Sequence, residues 1–167
     1  DASIKDRQTF YRKGFDLWTQ NARNLTFGVG MDSNKRFIKE WNLYDNDGNP
    51  MGHFHSTPLQ LLVERGLPAL LLWLWILWIY GRTLWRGFRI WEDNAVNPKS
   101  EIQNPKSFDW REKGIILGSF GGMIGFFVSG AVHYNLGDAE VEMVFFMLMG
   151  LSVCITLKNS ASPNLEY

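Results

Sequence analysis

The pattern of apolar and polar positions divides the chain near residue 66. Before it, residues are mixed and mostly polar. After it, most apolar residues fall into three blocks, at 67–85, 114–134 and 141–157. The first block reads LPALLLWLWILWIYGRTLW, and its first charge is Arg82, near one end. At about 1.5 Å per residue a helix of that length reaches roughly 28 Å, close to the hydrocarbon thickness of a bilayer. The second block has no charge except one that His133 can take, and the third is shorter, with Glu142 near its start. Helices that are apolar all round belong in a membrane or in a large core. A chain of 167 residues has no core able to cover three of them. The pattern therefore predicts an all-α integral membrane protein with three transmembrane helices.

The polar segment carries its own signals. In KDRQTFYRKGFDLWTQN, residues 5–21, Phe10, Gly14 and Leu17 follow helical spacing, and Arg7 extends the stripe one turn earlier. This predicts a helix lying at the membrane surface, with Arg7 at the edge of its apolar side. LTFGVG, residues 25–30, predicts a tight turn, because Gly28 and Gly30 allow unusual dihedrals. YDNDGNP, residues 44–50, is dense in turn formers. It lacks the spacing and closing Glu of a calcium loop, so it reads as a plain turn. In GHFHSTPLQLLVERG, residues 52–66, Thr57 is the predicted N-cap, Pro58 the first helical residue and Gln60 the closing member of a capping box. Gly66 is the predicted stop, and Pro68 starts the spanning helix. In the second block, Gly114, Gly118 and Gly122 form one row at four-residue spacing, and Gly121, Gly125 and Ser129 form another. Such rows let helix backbones approach closely in lipid, and packing is the function expected of them.

Charge adds orientation. Residues 86–113 contain Arg86, Arg89, Lys99, Lys106, Arg111 and Lys113, whereas the turn 134–140 contains no Lys or Arg. The positive-inside rule makes the first of these cytoplasmic and the second external. Residues 1–66 are then an extracytoplasmic loop, 86–113 a cytoplasmic loop and 158–167 a cytoplasmic tail. The nine basic residues of the first segment do not reverse this, since long segments translocate largely regardless of charge. The balance of 17 basic and 17 acidic residues gives no argument for nucleic acid as a partner. The eight Trp and twelve Phe partly flank the apolar blocks, as aromatic belts do. The lone Cys154 excludes a disulfide framework. With no initiator Met and no basic-then-apolar opening, the chain reads as the C-terminal piece of a longer protein.

By this topology His53, His55 and His133 all lie on the outer side. His55 sits just before a helix N-terminus, whose partial positive charge and unpaired N–H groups attract phosphate. The same field disfavours imidazolium, so His55 is expected to be neutral and able to accept a proton. A base working beside a lipid-linked phosphate needs such a place. Plainer readings stand beside this one. A His before a helix is most often a hydrogen-bonded loop residue, and Arg7 alone is most often a solvated charge. His133 reads first as an interfacial residue at a helix end. The HxH pair has no acidic or Cys partner spaced nearby, so no metal is expected. No nucleophile–base–acid set supports a soluble hydrolase. The spans are nearly free of charge, which argues against transport.

In order and spacing, DRQTFYRKGFDLW, TFGVG, HSTPLQLLVERG and, more weakly, HYNLGDAEVEMVFFMLMGL resemble the C-terminal half of the O-antigen ligase and polysaccharide polymerase superfamily of bacterial membrane glycosyltransferases. The resemblance covers nearly the whole chain. It implies a multi-pass, GT-C-like fold in the bacterial inner membrane. It also implies transfer of a glycan from an undecaprenyl diphosphate carrier to an acceptor hydroxyl on lipid A-core, another glycan or a protein, without metal or cofactor and with inversion. Arg7 matches the family's loop arginine, which holds the diphosphate and stabilises the leaving group; its forked, permanent charge suits phosphate oxygens. His55 matches the family's proposed base. Glu64 matches a family glutamate in a supporting, substrate-binding role, and His53 is grouped with it although it is not firmly part of the pattern. The family has roughly ten or more spans against three candidates here, and the earlier helices supply a further arginine and much of the lipid groove. A polymerase of the same superfamily and a non-catalytic membrane module are the alternatives.

Overall fold

A computed structural model describes residues 2–96 and 110–160, with side chains placed for 5–89 and 110–160. Much of the expected cytoplasmic loop and most of the expected tail lie outside the described residues. The described chain is helical, without a strand: α1 (Ala2–Thr19), α2 (Ala22–Phe27), α3 (Ser33–Arg36), α4 (Thr57–Val96), α5 (Trp110–Val132), a 3-10 turn (Asn135–Gly137) and α6 (Ala139–Ser160). Three segments are long and apolar enough to cross a membrane: Thr57–Arg89, Trp110–Val132 and Ala139–Ser160. The helices do not match the apolar blocks end for end. Helix α4 continues past residue 85 into the expected loop, where no proline occurs before Pro98, and α5 starts at Trp110 and stops at Val132, two residues short of Tyr134.

The chain forms two compact units, Asp1–Trp75 with Phe127–Ala139, and Ile76–Phe126 with Glu140–Tyr167. In the first, Phe10, Leu43, Met51, Phe54 and Val63 make the core, with Leu17, Trp18 and Leu59 packed against it. Gly14 belongs to the apolar stripe because nothing larger fits: a Cβ there would lie 2.9 Å from Phe54 Cδ1. Asn21 caps α2, its side chain accepting the Asn24 N–H at 2.9 Å. The segment YDNDGNP is a turn closed by a single bridge between Tyr44 and Pro50. The Asp45 carboxylate accepts from the N–H groups of Asp47 (2.9 Å) and Asn49 (2.7 Å) and from the Asn49 amide (3.0 Å). These bonds, the Asn49 side chain first, hold its pKa below the ordinary value.

Helix α4 breaks at Gly66, where φ is 77° and ψ is −177°, two residues before Pro68. The break leaves carbonyls without intrahelical donors, and Pro68 has no N–H to offer. The TFGVG turn supplies the missing donors. Val29 N–H bonds the Val63 carbonyl at 2.7 Å, and Gly30 N–H bonds the Glu64 carbonyl at 3.0 Å. The two backbones touch at Gly28 (φ 70°) and Gly66: a Cβ on Gly28 would be 2.5 Å from Arg65 N, and one on Gly66 would be 2.7 Å from Phe27 N. The turn expected from dihedral freedom is therefore also the cap of a broken helix.

The start of α4 differs from the expected capping box. Ser56 is the N-cap: its carbonyl accepts the Gln60 N–H at 2.9 Å and its Oγ accepts the Leu59 N–H at 3.4 Å. Thr57 is committed elsewhere. Its hydroxyl donates to the His133 carbonyl (3.1 Å) and accepts the Asn135 N–H (2.9 Å), and its N–H also bonds the His133 carbonyl (3.2 Å). Gln60 reaches past the cap, its Oε1 accepting the Phe54 N–H at 2.9 Å.

In the second unit, Phe126 and Phe145 stack at 4.0 Å, and the Tyr80 and Ser152 hydroxyls are 3.0 Å apart. Ser152 gives its own proton to the Leu148 carbonyl at 2.7 Å, so Tyr80 is the donor of the pair. The close approaches fall at glycines of α4. A Cβ on Gly81 would be 3.2 Å from Met123 Cε, and one on Gly87 would be 2.9 Å from Thr156 Oγ1. Among the described residues no helix packs closely against the glycine rows of α5. Gly114, Gly118, Gly121 and Gly125 have nothing within 4 Å of a built Cβ, and Gly122 meets Leu148 Cδ1 only at 3.9 Å. Spacing shows that a face is smooth; it does not show that a neighbour lies on it.

Candidate functional site

The site is built on the loop before α4, within the first unit. Its backbone is held from several directions. The Asn34 amide donates to the Gly52 carbonyl at 2.7 Å, and Gln60 holds the Phe54 N–H. His55 lies in the left-handed region, with φ 51°. Such a backbone costs a residue other than glycine of order 1–3 kcal/mol and persists only when its surroundings hold it. Here its N–H donates to His53 Nδ1 at 3.2 Å, and its carbonyl accepts from the Tyr11 hydroxyl at 3.3 Å. The His55 ring stacks on Phe10, with centroids 5.2 Å apart and planes 11° apart. Tyr11 shares its proton with the Ala131 carbonyl at 3.0 Å.

Arg7 and His55, 48 positions apart in sequence, line one open cavity of about 360 Å³ together with Asp6, Phe10, Asp45 and Gly52. Helix α1 brings them together because Arg7 lies about one turn before the Phe10 and Tyr11 that hold His55. The acids beside Arg7 are engaged. Asp6 accepts from the Asn46 N–H at 3.2 Å and from its side-chain amide, and Asp45 is tied within its own turn. Among the described residues the exposed guanidinium of Arg7 has no ion pair.

His53 and Glu64 line a second cavity, of about 280 Å³, with Lys35, Gln60, Arg65 and Tyr134; Gly52 lines both. The His53 ring is 4.2 Å from that of His55, 6.4 Å from that of His133 and 6.0 Å from that of Tyr134. Glu64 is 6 % exposed, and its Oε1 accepts the Asp32 N–H at 3.0 Å. Asp32 opens α3 in the left-handed region, and its carboxylate pairs with Lys35 at 2.8 Å. Glu64 thus anchors the start of α3 and lies away from the Arg7 cavity. The four expected site residues fall into two pairs, Arg7 with His55 and Glu64 with His53, joined through the two imidazoles.

Both loop histidines have pKa values below the ordinary 6.5. For His55 the causes are burial, then the charge of Arg7, then His133. For His53 they are burial, then His55, His133 and Lys35. The direction for His55 is the one expected, but its causes are burial and neighbouring charges in place of the helix N-terminus. Both rings are therefore neutral near pH 7. The Tyr11 hydroxyl is pushed up by burial, with Arg7 opposing. A neutral imidazole and a guanidinium in one concavity can take a proton from a hydroxyl and hold an anionic oxygen at the same time.

Sequence reasoning missed Tyr11, Lys35 and the part His133 plays. Tyr11 was within reach, since it lies four positions after Arg7 on one helix face. Nothing local marks His133, whose carbonyl is bound by Thr57 from 76 positions away. No group of three or more His, Cys, Asp or Glu able to hold a metal occurs among the described residues. No protein-family model matches the chain, and neither the curated proteins nor the solved structures give a match.

Proposed function

We propose that the protein is a membrane glycosyltransferase of the O-antigen ligase type. It transfers a glycan from an undecaprenyl diphosphate carrier to an acceptor hydroxyl, on lipid A-core or a similar glycan, at the outer face of the bacterial inner membrane. The observation that carries this reading is that Arg7 and His55 line one cavity, one charged without an ion pair among the described residues and the other neutral. His55 takes the proton of the acceptor hydroxyl as its oxygen attacks the anomeric carbon. The bond from that carbon to the diphosphate oxygen breaks with inversion, and the leaving diphosphate keeps the electron pair. Arg7 stabilises the charge developing on those oxygens. Glu64 supports the site by holding α3. The Lys and Arg of residues 86–113, set against none in 134–140, support a periplasmic side for residues 1–66 and a multi-pass, GT-C-like arrangement.

The test uses cells lacking the gene, complemented with the full-length protein carrying His55→Asn or Arg7→Ala. Asn tolerates the left-handed backbone of residue 55 and lacks the base. Loss of long surface glycan on a gel, with the protein in the membrane and lipid-linked donor accumulating, is the expected result. Normal glycan with both substitutions would overturn the reading and leave a non-catalytic membrane module.

A further inference from the structure

We infer that His53 is the positioning residue for His55, its Nδ1 holding the His55 peptide in the left-handed conformation that sets the His55 ring against Phe10. This deepens the proposed function and rests on it for the role of His55. The geometry is a side chain accepting the N–H two residues on, the arrangement by which Asn and Asp stabilise turns, here made by an imidazole. It has a chemical consequence. A neutral imidazole has one donor and one acceptor nitrogen. Acceptance at Nδ1 assigns the proton of His53 to Nε2. His53 then has no free lone pair on either nitrogen, so it is not a second base. Protonation would turn Nδ1 into a donor and break its bond to the His55 peptide. Acid that protonates His53 therefore releases the His55 peptide from this bond.

The surroundings of His53 hold it in the competent form. His55 faces it from the same loop, and His133 and Tyr134 face it from the segment after α5. Lys35 of α3, Asp32 just before it, and Glu64 and Arg65 of α4 line the same cavity. The carboxylates there are engaged elsewhere, Asp32 with Lys35 and Glu64 with the Asp32 N–H.

Two variants of the whole protein in lipid nanodiscs separate positioning from a general loss of structure. His53→Asn keeps an acceptor at the same place and cannot titrate; His53→Leu keeps the bulk and loses the acceptor. For His53→Leu, kcat for glycan transfer is expected to fall about 10- to 100-fold, the scale of a misplaced reacting group, with KM for the lipid-linked donor within about twofold. His53→Asn is expected to stay within about threefold of the parent and to lose the part of the acid limb that His53 sets. A second readout needs no activity. The ¹⁵N spectrum of the His53 imidazole, assigned by its absence in His53→Asn, is expected to show a bare Nδ1 and a protonated Nε2 at neutral pH. The inference is overturned by the opposite tautomer, by a His53→Leu protein with parental kcat, or by a His53→Asn protein as impaired as His53→Leu. Activity surviving in His55→Asn would instead sink the reading of His55 as base, and the imidazole spectrum would still decide the His53–His55 bond.

Discussion

The N–H of Val29 donates to the carbonyl of Val63 over 2.7 Å, across the point where α4 breaks. That bond, with its neighbour from Gly30 to Glu64, replaces donors that a continuous helix would have supplied. It requires two backbones to meet at Gly28 and Gly66, both with positive φ. Alanine at either glycine should therefore destabilise the protein by at least about 1–3 kcal/mol from backbone strain alone, with the collision adding to it. Gly118→Ala should leave stability unchanged or raise it by up to about 1 kcal/mol, since it lies in a helix with open space around it. Thermal unfolding of the purified protein in detergent checks both. A Gly118→Ala loss as large as that of Gly66→Ala would restore the α5 glycine row to a packing role.

Thr57 and Ser56 divide work that a capping box would give to one residue. Thr57→Val leaves the buried Asn135 N–H without its acceptor and should cost about 1–3 kcal/mol. Ser56→Ala removes an ordinary cap and should cost roughly 0.5–2 kcal/mol. Denaturant midpoints of the two variants decide between this arrangement and Thr57 as the sole cap, in which Ser56→Ala would be silent.

Glu64 accepts a backbone N–H, a task that an amide oxygen also performs. Glu64→Gln is expected to retain thermal stability and surface glycan. Glu64→Ala should lose about 1–3 kcal/mol through the unsatisfied Asp32 N–H, and with it the placement of Lys35. Glycan gels and melting curves of both variants test this. A Glu64→Gln protein as damaged as Glu64→Ala would mean that the negative charge itself is used.

The histidine pKa values carry a sign. The imidazoles of His53 and His55 titrate near 6.5 when unperturbed and lower when folded. Between those values the unfolded chain binds more protons than the folded one. Their contribution to stability is therefore complete above about pH 6.5, and it declines as pH falls below that toward the depressed values. Glycan transfer should hold through the upper part of that range and fall only as pH reaches the depressed pKa of folded His55, where the ring ceases to be a base. Melting temperatures and transfer rates from pH 7.5 down to about 5 test the sign; activity rising toward acid would exclude a neutral His55 as the working form.

Elements that depend on local chemistry were legible in the sequence. Helix α1 showed in the spacing of Phe10, Gly14 and Leu17, a stripe that packs on the core of the first unit, and the break in α4 showed in Gly66 and Pro68. The three apolar segments showed by length alone. What could not be read depends on partners distant in sequence. A hydroxyl before a helix looks like a cap until the His133–Asn135 turn competes for it. A row of glycines marks a smooth face, but the close approaches among the described residues fall at Gly81 and Gly87, which belong to no such row. Arg7 and His55 were singled out separately, and only the packing of α1 against the α4 loop places them on one cavity. The split of the histidines, with His55 beside Arg7 and His53 beside Glu64, has no trace in the HxH spacing.

Helix α4 also carries its own optical probe. Trp75, Trp78 and Trp85 are 56 %, 59 % and 52 % exposed, while Trp73 is 9 % exposed. In a bilayer such indoles meet acyl chains wherever no further helix covers them, and brominated lipids quench their fluorescence on contact. Trp73 would stay bright beside them. In variants that keep one of these indoles and replace the other seven Trp by Phe, the depth of bromine along the chain at which that indole dims would give the height of α4 in the membrane without any added label.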